Sequence, residues 1–210
     1  MITILTIAVI GYLLGSIPTG VWTGLAFKKI DIRQLGSKSI GATNVFRVLG
    51  AKLAIFVLII DVAKGFFAAY VGSYIDLGDT LLSSNQLALI GGIAAIIGHL
   101  FPLFAGFKGG KGVATGAGML LYLAPPEVGF AIVIFILTVW ITRFVSLGSI
   151  LATLFISLSL ILEKYSFGYT MGDEMIALAI ILMIIILYTH RANIGRLLNG
   201  KENRFGAKSS

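Results

Sequence analysis

The sequence predicts an all-α integral membrane protein of seven transmembrane helices, with the N-terminus outside and the C-terminus cytoplasmic. Three observations carry that prediction. Of 210 residues, 58% are hydrophobic and only 12% are Asp, Glu, Lys or Arg, where soluble domains carry about 25% charged residues. The apolar residues fall into seven long stretches, the pattern of spanning helices. The basic residues fall almost entirely into alternate loops. A mean hydropathy of +1.00 excludes a soluble domain, a disordered chain and a coiled coil.

The elements follow in order. Residues 1–22 are apolar and uncharged, and the first basic residues, Lys28 and Lys29, come after them. A signal peptide would carry its basic region first, so this segment reads as a retained span. Further spans are expected over residues 51–74, 86–107, 112–124, 128–141, 146–162 and 175–188. The fourth and fifth are short, about 20 Å each by helix rise, against a hydrocarbon core of about 30 Å. Joined by Pro125-Pro126, they are either two tilted spans or one re-entrant hairpin. The whole chain, 1–210, reads as a single polytopic domain with a flexible tail over about 203–210.

The loops set the orientation. With the N-terminus outside, the inside segments 23–52, 108–111, 142–145 and 189–210 hold 14 of the 16 Lys and Arg residues. The outside loops hold six of the nine acids and one base, Lys164. Lys and Arg concentrate on the cytoplasmic side of membrane proteins, which places the basic loops inside. The net charge of +7 then reflects topology and anionic lipids or substrates, and no nucleic-acid partner is expected. Zero cysteines exclude disulfides, thiolate metal sites and a thiol nucleophile. One charged pair, Asp61 and Lys64, lies inside a span on one helix face; it is an ion pair turned into the bundle or part of a transport pathway.

Four polar clusters fall in the inside segments. In the first, Ser37, Asn44 and Arg47 stand in a run of small residues with Gly36, Gly41 and Thr43. Backbone N–H groups, hydroxyls and a guanidinium are the donors a phosphate takes. The second, Phe107-Lys108-Gly109-Gly110-Lys111-Gly112-Val113, opens a helix. Gly109, Gly110 and Gly112 let backbone approach a ligand, and a helix N-terminus with two lysines favours an anion. It is not a Walker A loop, since Gly106 to Gly110 encloses three residues and Gly112 stands where Ser or Thr would hold Mg²⁺. The third, residues 143–149, offers Arg143, Ser146 and Ser149. The fourth ends the last span with His190, Asn193, Arg196 and Glu202; on a continuous helix His190 and Asn193 share a face. The set is rich in donors and poor in carboxylates. That favours an anionic, phosphate-bearing substrate and disfavours a divalent metal or a carboxylate-pair hydrolase.

The residues at 37–47, 107–114 and 190–202 also carry a resemblance. The chain resembles the bacterial acyl-phosphate:glycerol-3-phosphate acyltransferases, the PlsY family, from Tyr12 to Glu202. The pattern Ser-Gly-Asn-x-Gly-Ala-Thr-Asn-x-x-Arg is similar to residues 37–47, Phe-Lys-Gly-Gly-Lys-Gly-Val-Ala to 107–114, and His-x-x-Asn-Ile-x-Arg-Leu-x-x-Gly-x-Glu to 190–202. The resemblance implies seven spans and a cytoplasm-facing site. It implies transfer of a fatty acyl group from acyl phosphate, not acyl-CoA or acyl carrier protein, to glycerol 3-phosphate, without cofactor or metal. A soluble enzyme that forms acyl phosphate is implied as a metabolic partner. Site roles follow residue by residue: Ser37, Arg47, Lys111, Ser149, His190 and Asn193 as polar site residues, and Gly109, Gly110 and Gly112 as a phosphate cradle. Glu202 matches a structural position. The chain departs from the family pattern at Lys38 and Ser39, where Gly and Asn are usual.

The chemistry fits these residues. Acyl phosphate is already activated, so attack by the acceptor hydroxyl needs no covalent enzyme intermediate. Arg47, Lys111 and the glycine amides are expected to hold phosphates and developing charge. Ser37 and Asn193 are expected to position the acceptor. His190 either takes the hydroxyl proton or only binds while the departing phosphate takes it. The His-x-x-x-x-Asp mechanism is absent, because Phe104 and Gly195 stand where the Asp would follow His99 and His190. Two rival classes remain: a transporter of a phosphorylated metabolite, and a scaffold that binds anionic lipid.

Overall fold

A computed structural model of the chain describes residues 1–168 and 172–206. The described residues form ten α-helices and two short 3-10 turns, with no strand among them. They fall into two compact units, 1–123 and 124–206. The end of the expected flexible tail, from residue 207, lies outside the described residues. Phe205, just before it, is tied down: its N–H donates to the Arg143 carbonyl at 2.6 Å.

The first unit begins with α1 (Ile2–Gly15) and α2 (Thr19–Lys28). Pro18 has no N–H to donate, and the chain breaks there before α2 resumes; the two helices still count as one apolar span of 27 residues. The expected inside loop is part helix, since α2 runs to Lys28 and α3 (Ala42–Leu49) follows a turn at Ile32–Gln34. Then come α4 (Ala51–Tyr74), α5 (Ser84–Leu100) and α6 (Val113–Leu123). These helices meet through small residues, as helices do in lipid, where van der Waals fit replaces the hydrophobic driving force. A Cβ on Gly15 would lie 2.0 Å from the Ala95 carbonyl oxygen, so α1 and α5 are backbone to backbone there.

The second unit holds α7 (Pro125–Thr142), α8 (Val145–Tyr165), α9 (Asp173–Thr189) and α10 (Arg191–Leu198). Pro125 and Pro126 occupy the first turn of α7, where a missing N–H costs nothing. The Ser157 hydroxyl donates to the Ala179 carbonyl at 3.0 Å and joins α8 to α9. Phe130, Ile132, Ile136, Trp140 and Ile141 on α7 are exposed apolar side chains, suited to lipid rather than water.

Among the described residues, five helices are long and apolar enough to cross a membrane, and the bent pair α9–α10 would make six. The fifth expected span is fuller than its sequence stretch suggests: α7 has 18 residues, about 27 Å. The fourth is shorter: α6 has 11 residues, about 16 Å, less than the hydrocarbon core.

Candidate active site

In the first unit, one side chain shapes the loop before α3. Asn44 is 1% exposed. Its Nδ2 lies 3.0, 3.2 and 2.8 Å from the carbonyls of Ile32, Leu35 and Ser39, and its Oδ1 accepts the Ser37 N–H at 2.8 Å. Ile32, Ile40 and Val45 bury beneath it with Val21 and Val57. Asn44, expected at the substrate, is therefore committed to the loop, and it holds Ser37 by the backbone. Ser37 itself is exposed, between Gly36 at φ +58° and Lys38 at φ +59°. So Lys38 adopts the left-handed conformation of the glycine that the resemblance puts there, at a cost of about 1 kcal/mol.

The Asp31 carboxylate grips Arg33 through three side-chain hydrogen bonds of 2.8 to 3.2 Å, and Arg33 Nη1 donates to the Ala105 carbonyl at 3.0 Å. The first loop is thus fastened to the segment that leads into the glycine loop. The Arg33 guanidinium holds the Asp31 carboxyl below its usual range, and Asp31 in turn raises Arg33. Arg47, in the last turn of α3, is half-buried.

The glycine loop is packed, not open. A Cβ on Gly109 would lie 2.2 Å from the His99 carbonyl oxygen, and one on Gly110 would lie 2.1 Å from His99 Nε2. The Gly110 N–H donates to the His99 carbonyl at 3.0 Å. Gly112 has φ +82° and leads into α6. Both glycines at 109 and 110 are thus demanded by contact with the end of α5, independently of any ligand. Lys111 between them and α6 is half-buried.

In the second unit the polar residues gather on one carboxylate. Glu202 Oε1 accepts from Ser146 Oγ at 3.0 Å and from Asn193 Nδ2 at 2.7 Å, and Oε2 accepts from Arg196 Nε at 2.8 Å. The Glu202 side chain is only 2% exposed. Ser149, one turn past Ser146, turns its hydroxyl onto the Val145 carbonyl at 3.0 Å. The last helix does not run on: α9 and α10 meet at 61°, with His190 at the corner. His190 is 2% exposed, and its Nδ1 lies 2.9 Å from the Ile186 carbonyl. A carbonyl cannot donate, so Nδ1 carries a proton.

Sequence reasoning put Ser146 and Glu202 outside the site residues, although Ser146 lies one turn before Ser149. Nor did it give Arg33 a role. The Asp31-x-Arg33 spacing was the available signal.

The fold and these donor-rich clusters define a helical integral membrane protein equipped to handle anions. The chain belongs to the glycerol-3-phosphate acyltransferase family, whose model matches residues 5–200. It is 43% identical over 233 residues to a glycerol-3-phosphate acyltransferase of Chlorobium luteolum, covering 97% of each chain. To that of Fusobacterium nucleatum it is 44% identical over 197 residues, covering 94% of this chain and 95% of the relative. It is also similar to a crystal structure of PlsY, an integral membrane glycerol 3-phosphate acyltransferase, in its glycerol 3-phosphate form. That match has a TM-score of 0.82 and 36% identity over 97% of this chain and 96% of the other. The lysophosphatidic acid form matches with a TM-score of 0.81 and 37% identity over 97% of this chain and 95% of the other.

Proposed function

We propose that this chain transfers a fatty acyl group from acyl phosphate to the 1-hydroxyl of sn-glycerol 3-phosphate, giving 1-acyl-sn-glycerol 3-phosphate and phosphate. Acylation of glycerol 3-phosphate rests on the family membership. The observation that carries it is the near full-length match to an enzyme solved with the acceptor and with the product. The donor rests on the resemblance of residues 37–47, 107–114 and 190–202 to the acyl-phosphate-using acyltransferases; the absence of cysteine is compatible with it, since attack on acyl phosphate needs no thiol. The reaction is the first acylation of bacterial phospholipid synthesis. We place it at the cytoplasmic side of the inner membrane, in one seven-span domain with the N-terminus outside. The crowding of basic residues into alternate loops supports that orientation.

The acceptor oxygen forms a bond to the acyl carbon while the bond from that carbon to the phosphate oxygen breaks. Arg47 and Lys111 hold phosphate and neutralise the charge that develops on the carbonyl oxygen and the leaving group. The loop of Gly109, Gly110 and Gly112, seated against the end of α5, presents its remaining backbone amides to the acyl phosphate. The Gly110 N–H is already given to His99, so the anion is left to the other amides and to Lys111. Ser37, Ser149 and Asn193 orient the acceptor, with Asn193 aimed by Glu202. Asn44 serves by shaping the loop that presents Ser37. His190 meets the acceptor hydroxyl with Nε2, and the proton leaves with the phosphate. An apolar groove of about 290 Å³ in the first unit, lined by Trp22, Phe27, Phe56 and Ile60 among others, suits a hydrocarbon chain.

The test is turnover in lipid of palmitoyl phosphate with labelled glycerol 3-phosphate, with palmitoyl-CoA as the parallel donor. Labelled lysophosphatidate from acyl phosphate alone is expected. Product from acyl-CoA would overturn the donor, and no product from either, by folded protein, would overturn the reaction.

A further inference from the structure

The first unit buries a polar cluster that the chemistry above does not use. Asp61 and Lys64 on α4 are each 3% exposed in their side chains, with Lys64 Nζ 2.8 Å from Asp61 Oδ1. Lys64 also donates to the Ile17 carbonyl at 3.2 Å, at the break between α1 and α2, and the Thr19 hydroxyl donates to Asp61 Oδ1 at 3.2 Å. His99 on α5 turns Nδ1 toward the same carboxylate at 3.8 Å. That nitrogen is buried without a hydrogen-bond partner among the described residues. Stability alone does not account for this cluster. Apolar residues in place of a buried ion pair are often neutral or stabilising, and charge within a membrane span is costly.

The position of His99 suggests what the cluster does. The other edge of its ring, Nε2, stands against Gly110. Its carbonyl takes the Gly110 N–H and abuts Gly109. We propose that Asp61, Lys64 and Thr19 fix the His99 ring, and that the ring braces the glycine loop so that Lys111 meets its phosphate in register. His99 is then a positioning residue that never touches substrate. Asp61 and Lys64 act one layer further back.

The absence of cysteine gives a clean probe. Lys108 is exposed at the start of the loop, so a nitroxide on Lys108→Cys reports loop motion without any turnover. Two variants of His99 separate its two edges. Asparagine reaches as far as Nδ1 and keeps the side toward Asp61, while glutamine reaches the place of Nε2 and keeps the brace. The His99→Asn variant is expected to show faster label motion and an acyl-phosphate KM raised about five-fold or more, since small misplacements of a binding group are costly. In His99→Gln, which keeps the brace but gives up the edge toward Asp61, both shifts are expected in the same direction but smaller, while the glycerol 3-phosphate KM stays within about two-fold of the parent in both variants. Equal label motion in the two variants, or loss of kcat and both KM values together with an unmoved label, would overturn the brace. The kinetic half of the test rests on the acyl-phosphate reading. If that donor gives no turnover the reading fails, and the label alone still decides the brace. Should His99→Asn not fold, Asp61→Asn combined with Lys64→Met removes both charges at once; the same label shift is expected there, and an unmoved label would overturn the inference.

Discussion

The two units build their polar ends by opposite means. The first uses the main chain: Asn44 holds three carbonyls and an N–H, Arg33 pins a further carbonyl, and two glycines lie against the end of α5. The second uses a single carboxylate, Glu202, on which Ser146, Asn193 and Arg196 all converge. Main-chain construction spreads its strength over many bonds. A carboxylate hub concentrates its strength in one residue, so its loss releases three donors together.

That contrast can be broken at several points, and the largest effect belongs to the charges. Lys111→Ala or Arg47→Ala should lower kcat/KM about 100-fold or more in the lipid-reconstituted assay, with folding intact, because each removes a charge-assisted contact to phosphate. Next comes the hub. Glu202→Ala leaves Ser146, Asn193 and a partly exposed Arg196 without their shared acceptor, and should cost about 2–4 kcal/mol in chemical unfolding as well as activity. Unchanged stability would show that Glu202 is no hub. Asn44→Ala should cost less, about 1–3 kcal/mol, since it leaves several loop groups unpaired near water. It should also raise hydrogen exchange over residues 32–39 more than elsewhere.

A change in the opposite direction sharpens the comparison. Lys38→Gly removes the left-handed strain at φ +59° and should stabilise the chain by about 1 kcal/mol. The smallest effect is that of pH on the Asp31–Arg33 clasp. The Arg33 guanidinium holds the Asp31 carboxyl below the usual carboxylate range, so its contribution is present above the ordinary Asp pKa and is lost as the pH falls through the lower folded value. A melting-temperature series in acid should therefore fall more steeply for the parent than for Asp31→Asn.

Much of the first comparison was legible in the sequence, because span positions follow from hydropathy alone. The breaks were not. Pro18 stops a helix inside an apolar run, and α9 turns at His190 within a pattern that would let a helix continue. The short α3 was hidden because its apolar positions, Val45 among them, pack under a loop rather than into a span. The site's residue types were legible as phosphate chemistry. Their internal duties were not: Asn44 and Gly110 have the composition of ligand contacts, yet they are engaged by their own chain. Only a three-dimensional structure separates a glycine kept for a phosphate from one kept for a histidine ring.

The most direct measurement is a cross of two variants against two substrates. KM for acyl phosphate and for glycerol 3-phosphate would be determined for Lys111→Ala and Asn193→Ala, each checked for folding. The account predicts a crossed pattern: Lys111→Ala raises the acyl-phosphate KM far more than the acceptor's, and Asn193→Ala does the reverse. If both variants raised the same KM alike, or either kept full activity, the assignment of one cluster to the donor phosphate and the other to the acceptor would be contradicted.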